Sequence, residues 1–161
     1  MSFVRTLSLS VASVICLGVL TACAARAEQA TLDRMITMTP DELEWFEPAS
    51  LPAGAEMTVI EGPMDEDRPF TARIRFPAGY ELPAHWHPAV ERVTVLEGTF
   101  NMGMGDELDR TQTQPLGPGA VKMIPIGMRH FAWTDEETVI QLHGHGPWGI
   151  VYVDPANDPR S

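Results

Sequence analysis

Short runs of strand-forming residues, each ended by a Gly, Pro or acidic cluster, constrain the fold of this chain more than any other feature. The sequence contains 14 prolines and 13 glycines. An interior Pro destabilises a helix by about 3 kcal/mol, which argues against an all-helical bundle. Regular turns between short runs predict an all-β sandwich or barrel. The predicted strands are residues 57–60, 70–76, 92–96, 99–104, 121–124 and 138–142.

The first 27 residues are typical of an export leader. Arg5 supplies a weakly positive start, no acidic residue is present, and residues 7–20 form an apolar run that is shorter than the roughly 18 residues of a membrane-spanning helix. Two processing sites follow. Cys23 ends a sequence resembling a bacterial lipobox, and residues 25–27 form an A-x-A signal peptidase site. A retained anchor helix is the third alternative. We therefore expect a periplasmic or secreted protein, or an outer-membrane lipoprotein anchored at Cys23.

Residues 28–161 are then expected to form a single domain, with its core at about 51–153. Before this core, Thr39 as an N-cap, followed by Pro40 and by Glu42 in the first turn, predicts a short helical turn. Both cysteines, Cys16 and Cys23, lie in the leader or at its boundary. The domain therefore has no disulfide and must be stable through its hydrophobic core.

The net charge of the protein limits the classes of partner that it can bind. The 11 basic and 22 acidic side chains give a net charge of -11, and a basic patch of the usual size cannot be assembled from so few cations. Nucleic acid is excluded as a partner on this ground. Contact with a membrane is expected only through a lipid anchor at Cys23. A small molecule is the remaining partner class.

The histidines carry the chemistry. In a strand, residues two apart share a face, so His85 and His87 point the same way. Glu91 can return to that face after a turn at Pro88, and a second turn at 125–127 delivers His130 to the start of a strand. Three imidazoles and one carboxylate that converge form a ligand set for a divalent metal.

These two blocks resemble the signature motifs of the cupin superfamily. The first motif is G-x5-H-x-H-x3-E-x6-G, and the second is G-x5-P-x-G-x2-H-x3-N. All positions are filled except the final Asn, which is usually structural and is replaced here by Thr134. More narrowly, residues 144–155 look like those of small, exported, single-domain bacterial cupins. The matching residues are Gly79, His85, His87, Glu91, Gly98, Gly119, Pro125, Gly127 and His130.

The resemblance implies a double-stranded β-helix, the jelly-roll cupin barrel, with His85, His87, Glu91 and His130 as metal ligands. The implied cofactor is one divalent transition metal: Mn, Zn or Fe. A degenerate barrel without metal is the alternative to this assignment. Cupins are often dimers, so a homodimer is expected by analogy. Because cupins include dioxygenases, decarboxylases, isomerases, lyases and sensors, the fold does not choose the reaction.

Four further residues are candidates for catalysis. Tyr80 and Arg129 border the motifs and could reach the pocket mouth. His143 and His145 share one face of a predicted strand, opposite Ile140 and Leu142. If the apolar pair faces the barrel interior, both histidines are surface residues; if the histidines face inward, they could act as acid or base.

Two more side-chain patterns allow alternatives. Arg73 and Arg75 alternate along one strand, as on a solvated face or in an anion-binding pocket. Phe100, Met102 and Met104 share a face that is typical of core or pocket wall.

The preferred hypothesis is an exported, metal-dependent enzyme acting on a small organic molecule. Dioxygenase chemistry is favoured over isomerase or lyase chemistry, because a three-histidine centre with open positions can hold an oxygen-bearing substrate beside O2. The alternative is a non-enzymatic cupin that binds metal or ligand as a sensor. A third possibility is an interaction domain in which the metal only stabilises the barrel.

Overall fold

The computed structural model describes Met35 and residues 37–161. The expected leader, residues 1–27, lies outside the described residues, and with it Cys23 and both processing sites. Among the residues that are described, no helix is long and apolar enough to cross a membrane.

Ten strands are present in the described part of the chain. In order, they are β1 (Glu56–Glu61), β2 (Pro69–Phe76), β3 (Glu81–Trp86), β4 (Glu91–Glu97), β5 (Phe100–Met104), β6 (Thr113–Leu116), β7 (Val121–Ile124), β8 (His130–Trp133), β9 (Thr138–His145) and β10 (Val151–Tyr152). Single 3-10 turns occupy Pro40–Glu42, Arg110–Gln112 and Pro155–Asn157. All six predicted runs are strands, and the turn at Pro40 lies where Thr39 and Glu42 place it.

Within residues 37–161, the strands form two five-stranded antiparallel sheets. One sheet has the order β1-β2-β9-β4-β7, and the other has the order β10-β3-β8-β5-β6. Consecutive strands therefore alternate between sheets at several points, which closes the chain into a jelly-roll barrel. The predicted all-β double-stranded β-helix is confirmed.

The core lies between the two sheets because inward and outward residues alternate along each strand. Val93 and Val95 on β4 are fully buried, as their shared parity with Glu91 predicts. Ile140 and Leu142 on β9 are buried beside them and contribute to the same core. The apolar pair of β9 therefore faces inward, and His143 lies on the outer face of this strand.

Four strands lie outside the six predicted runs. Of these, β3 and β8 were indicated only by the strand positions expected for His85 and His130, and β6 and β10 were not indicated at all. The β6 sequence Thr-Gln-Pro-Leu has exposed polar positions and a Pro, so no periodicity marks it as a strand. β10 has two residues, too few to show alternation. It forms because Val151 and Tyr152 pair with Trp86 and His85.

Gly98 is required where β4 turns into β5. Its φ is +71°, a left-handed conformation that is strained for residues with a side chain. A Cβ here would contact the carbonyl oxygen of Glu137 and would lie 2.6 Å from the Thr138 hydroxyl oxygen. By contrast, Gly119 has φ of +86° but no atom within 4 Å of a built Cβ.

Alanine substitutions at these two glycines distinguish the effect of backbone strain from that of a steric clash. We expect Gly119→Ala to lower the free energy of unfolding by about 1–2 kcal/mol through backbone strain alone. Gly98→Ala should lose about 1–3 kcal/mol more, because the strands must also move apart. Urea unfolding followed by circular dichroism measures both values. Equal losses for the two variants would contradict the close approach at Gly98.

Candidate metal centre

The four predicted ligands come together from both sheets. His85 on β3 and His130 on β8 are direct partners across antiparallel strands. His87 follows the end of β3, and Glu91 is the first residue of β4 in the opposite sheet. All four side chains are buried. The turn between β3 and β4 therefore carries the site from one sheet to the other, as the predicted turn at Pro88 requires.

The nitrogen atoms of the three histidine rings lie within the span of a single ion, with the carboxylate beside them. Each of the three histidines offers a ring nitrogen, and these atoms all lie within 4.8 Å of one another. Glu91 Oε2 is 3.1 Å from His130 Nε2 and 3.4 Å from His87 Nε2. The histidines thus form a compact group of three, and the carboxylate adjoins two of them.

Backbone carbonyls fix which nitrogen each ring presents. Nδ1 of His85 donates to Pro83 O at 2.7 Å, Nδ1 of His87 to Gly149 O at 2.7 Å, and Nδ1 of His130 to Met128 O at 2.9 Å. A carbonyl oxygen only accepts, so the hydrogen of each neutral ring lies on Nδ1. Each Nε2 therefore carries a free lone pair, the arrangement typical of metal-binding histidines.

The inner atoms of this group lack partners. Within the described residues, His87 Nε2, His130 Nε2 and Glu91 Oε2 are buried without a hydrogen bond. With its hydrogen on Nδ1, His130 presents Nε2 as an acceptor facing the acceptor Glu91 Oε2, so this short contact is favourable only with a proton or a cation between the two atoms. Buried acceptors that face one another are unfavourable unless a cation lies between them. The donor set therefore fits a divalent metal.

Protonation states favour the same ligand set. Burial lowers the pKa of His85 well below the usual 6.5, and the neighbouring His130 and His87 rings lower it further. Burial also lowers the pKa of His87, against the opposing effects of Glu91 and the Gly149 carbonyl. Burial raises the pKa of Glu91, but a hydrogen bond from a proton on His130 Nε2, together with the nearby His87 ring, outweighs burial and lowers the pKa below 4.5. These two histidines are therefore neutral and Glu91 is ionised near neutral pH.

The second motif positions its ligand through a turn that also contacts the first. Met128 N donates to Pro125 O at 3.2 Å, and Gly127 N donates to His87 O at 3.0 Å. Thr134, in place of the expected Asn, donates its hydroxyl to Pro77 O at 2.8 Å and its amide to Tyr80 O at 3.0 Å. Thr134 therefore holds the turn before β3, which agrees with the structural role expected at this position.

The ligands line a cavity of about 250 Å³ between the sheets. Its wall is almost entirely apolar and includes Phe76, Leu82, Phe100, Met102, Ile140 and Leu142. Phe100 and Met102 thus form pocket wall as expected. Met104 does not, because its position at the end of β5 leaves the side chain 57% exposed.

The segment after β9 contributes contacts that the sequence did not indicate. The Trp148 ring stacks on His87 with centroids 4.3 Å apart and an interplanar angle of 17°. The next residue, Gly149, accepts the hydrogen bond from the same histidine. Trp148 lines both the cavity and a separate outer groove formed with Pro88 and Pro147. A lone Trp in a Gly- and Pro-rich stretch carries no pattern that would have revealed this position.

The four residues considered as catalytic candidates lie elsewhere in the described structure. Tyr80 is buried and donates its hydroxyl to Pro52 O at 2.7 Å; burial raises its pKa above the usual 10.0. Arg129 forms an exposed ion pair with Asp106 at 2.8 Å. None of these side chains lines the cavity.

The two histidines of β9 are outside the barrel. His143 Nδ1 lies 3.4 Å from the Thr71 hydroxyl, and His143 Nε2 lies 2.9 Å from Gln141 Nε2. His145 is exposed and lies 3.4 Å from Asp67. The surface alternative therefore describes both residues. The alternation along β9 indicates this outward position, since Ile140 and Leu142 occupy the inward positions.

Arg160 lines the cavity and was not singled out in the sequence. It follows the 3-10 turn Pro155–Asn157, in the polar C-terminal stretch. Its Nη2 donates to Ile150 O at 3.0 Å, which holds the guanidinium at the segment that follows Trp148 and Gly149. A single Arg in a polar tail gives no periodic signal, so only the fold shows its location.

Known structures share this architecture. The polyketide cyclase RemF from Streptomyces resistomycificus aligns with a TM-score of 0.63 at 20% identity, covering 79% of this chain and 91% of that one. A salicylate 1,2-dioxygenase from Pseudoaminobacter salicylatoxidans, described as adducts with gentisate, aligns with a TM-score of 0.53 at 16% identity, covering 65% of this chain and 30% of that one. At these identities, the likeness shows the fold alone.

Sequence comparison gives the family. Germin-like protein 1-1 of Oryza sativa subsp. japonica is 33% identical over 81 residues, which are 50% of this chain and 34% of that protein. The chain thus spans about a third of the length of this curated relative. The family model described as the ChrR cupin-like domain matches residues 33–149, well over half of the chain. The chain therefore belongs to the cupin superfamily, in the family of ChrR cupin-like domains.

Proposed function

We propose that this protein is a metal-dependent enzyme that acts on a small organic molecule, with dioxygenase chemistry favoured. The ligands are His85, His87, Glu91 and His130, and the metal is one divalent ion of Mn, Zn or Fe. One observation carries the proposal: three histidines with Nδ1 tied to carbonyls present Nε2 lone pairs toward a carboxylate at the wall of an apolar cavity. A bound metal would supply Lewis acidity or a site for O2 beside the substrate.

The protein's own groups supply the rest of the site. The three Nδ1–H···O=C bonds keep the rings from rotating, so the donor atoms are arranged before any ion arrives. The apolar wall excludes water from the reacting molecule and strengthens electrostatic interactions at the donors. The enzymes among structures of this fold include a cyclase and a dioxygenase. Their variety supports an enzyme and leaves the reaction to be tested.

One observation favours the alternative of a non-enzymatic binding protein or sensor. Apart from the proposed ligands, the cavity wall in the described structure holds no side chain that readily exchanges a proton near neutral pH. Chemistry that needs a separate general acid or base is therefore disfavoured, whereas binding and metal-centred oxygen chemistry are not.

Oxygen uptake distinguishes these proposals. The protein is loaded anaerobically with Fe(II) or Mn(II) and exposed to O2 with a panel of hydroxylated aromatic acids. The favoured proposal expects O2 consumption that depends on the organic substrate and disappears in His130→Ala. Turnover without O2 uptake would replace it with isomerase or lyase activity. Saturable binding of an organic ligand without turnover would support the sensor.

Metal stoichiometry is the first test of the ligand assignment. We expect one divalent ion per chain, and a metal-induced increase in melting temperature that reflects binding to the folded state alone. His130→Ala should bind metal at least about a hundredfold more weakly, since the loss of a direct ligand exceeds that of an outer contact. His145→Ala, which lies outside the cavity, is the matched control and should retain the ion. Full occupancy in His130→Ala would overturn the assignment.

Acid should destabilise the metal-free protein. The pKa values of His85 and His87 are lowered from 6.5 on folding, so the unfolded chain binds more protons as pH falls through that value. The Glu91 pKa is also lowered, which adds a loss in the same direction at lower pH. Stability is therefore full above about pH 7 and decreases below about pH 6.5. Thermal melts of metal-free protein measure this slope, and His85→Gln should flatten it. An unchanged slope in that variant would show that His85 is not a source of the acid sensitivity.

Export is part of the proposal and determines how the metal is acquired. A leader at residues 1–27 would make the domain fold outside the cytoplasm, where selectivity depends on geometry and metal availability, because raw affinity favours Zn over Mn and Fe. We expect zinc or manganese to be prominent in protein recovered from the periplasm, and a different metal profile when residues 1–27 are deleted. Elemental analysis of both preparations from one medium measures this. Identical metal contents would contradict the compartment effect and leave the ligand assignment standing.

A further inference from the structure

The cavity has one permanently charged cation in its wall. Among the lining residues in the described part of the chain, all side chains except Ser50, Arg160 and the four proposed ligands are apolar. The Arg160 side chain is 43% exposed, whereas all four proposed ligands are buried. Arg160 therefore lies toward the solvent side of the cavity, and the metal donors lie in its depth.

The guanidinium is held in place but is not saturated. Nε and Nη2 each lie 2.7 Å from a carboxylate oxygen of Asp158, and Nη2 also donates to Ile150 O. Nη1 has no hydrogen-bond partner among the described residues. Both N–H groups of Nη2 are used by Asp158 and Ile150, so the two N–H groups of Nη1 are the ones that can donate to another carboxylate. Two hydrogen-bonded anchors also reduce the entropy lost when a ligand binds.

The other arginines considered for anion binding are occupied elsewhere. Arg73 Nε donates to Gln141 at 3.0 Å, and Arg75 pairs with Glu56 at 3.0 Å and lies over the Trp45 ring. Neither lines the cavity.

Taken together, these features define a ligand class. We propose that the cavity selects a small apolar carboxylic acid, whose carboxylate binds Arg160 at the entrance and whose apolar body extends toward the donors of His85, His87 and His130. A cavity of about 250 Å³ is smaller than the roughly 300 Å³ at which pockets for drug-sized ligands begin. The ligand is therefore about one ring in size. The inference rests on the proposed function for the site but concerns recognition and does not require turnover.

The test compares an acid with its uncharged isostere. Binding of 3-phenylpropionate and of 3-phenyl-1-propanol is measured by isothermal titration calorimetry, with zinc-loaded and with metal-free protein. The acid should bind about tenfold more tightly than the alcohol in both forms, because a charge-assisted hydrogen bond distinguishes them. In Arg160→Gln this preference should vanish while the alcohol binds as before. Arg129→Gln is the matched control, since its ion pair with Asp106 lies outside the cavity, and it should keep the preference.

A second variant guards against misfolding of Arg160→Gln. Asp158→Asn keeps the Oδ1 acceptor for the Arg160 amide but removes the competing negative charge. It should strengthen binding of the acid severalfold and leave the alcohol unchanged.

Three results would overturn the proposal. They are equal binding of acid and alcohol by the wild type, no gain for the acid in Asp158→Asn, or a preference found only with zinc and retained in Arg160→Gln. This last result would show that the carboxylate binds the metal instead of Arg160. Failure of the metal assignment itself would appear separately, as absence of bound zinc with the acid preference intact in metal-free protein.

Discussion

Three hydrogen bonds from histidine Nδ1 atoms to backbone carbonyls are the interactions on which the site depends. Each one satisfies half of a buried imidazole and leaves the other half unsatisfied in a fixed direction. The carbonyls belong to Pro83 in β3, to Met128 in the turn before β8, and to Gly149 after β9. The donor geometry is thus set by three separate parts of the barrel, and it holds only when both sheets are correctly paired.

The unsatisfied donor atoms that suit the site for metal binding also destabilise the folded chain. Buried acceptors that face one another destabilise the folded chain when nothing lies between them, and the barrel must offset this through its apolar core. Val93, Val95, Ile140 and Leu142 pack on adjacent strands next to the site. Of these side chains, Ile140 and Leu142 also form part of the apolar wall of the cavity. A substitution that improves the core by filling the cavity would therefore reduce the space for a ligand.

Much of this arrangement could be predicted from the sequence, because local patterns encode it. The alternation in β2, β4 and β9 predicts strands, and the spacing of His85, His87 and Glu91 predicts convergence across a turn. The parity of Ile140 and Leu142 identifies the inward face of β9, and so the outward position of His143. The features that could not be predicted have no local pattern. Trp148 and Arg160 reach the cavity only because distant segments are brought together by the sheets.

The stacked indole of Trp148 has one further consequence. Because this residue lines both the interior cavity and an exterior groove, it forms part of the barrier between the buried centre and the surroundings. The ring belongs to an irregular segment after β9, not to a strand. Replacing Trp148 would alter access to the cavity from outside without changing the strand pairing of either sheet. Access to the cavity can therefore change during evolution while the strand pairing of the barrel stays the same.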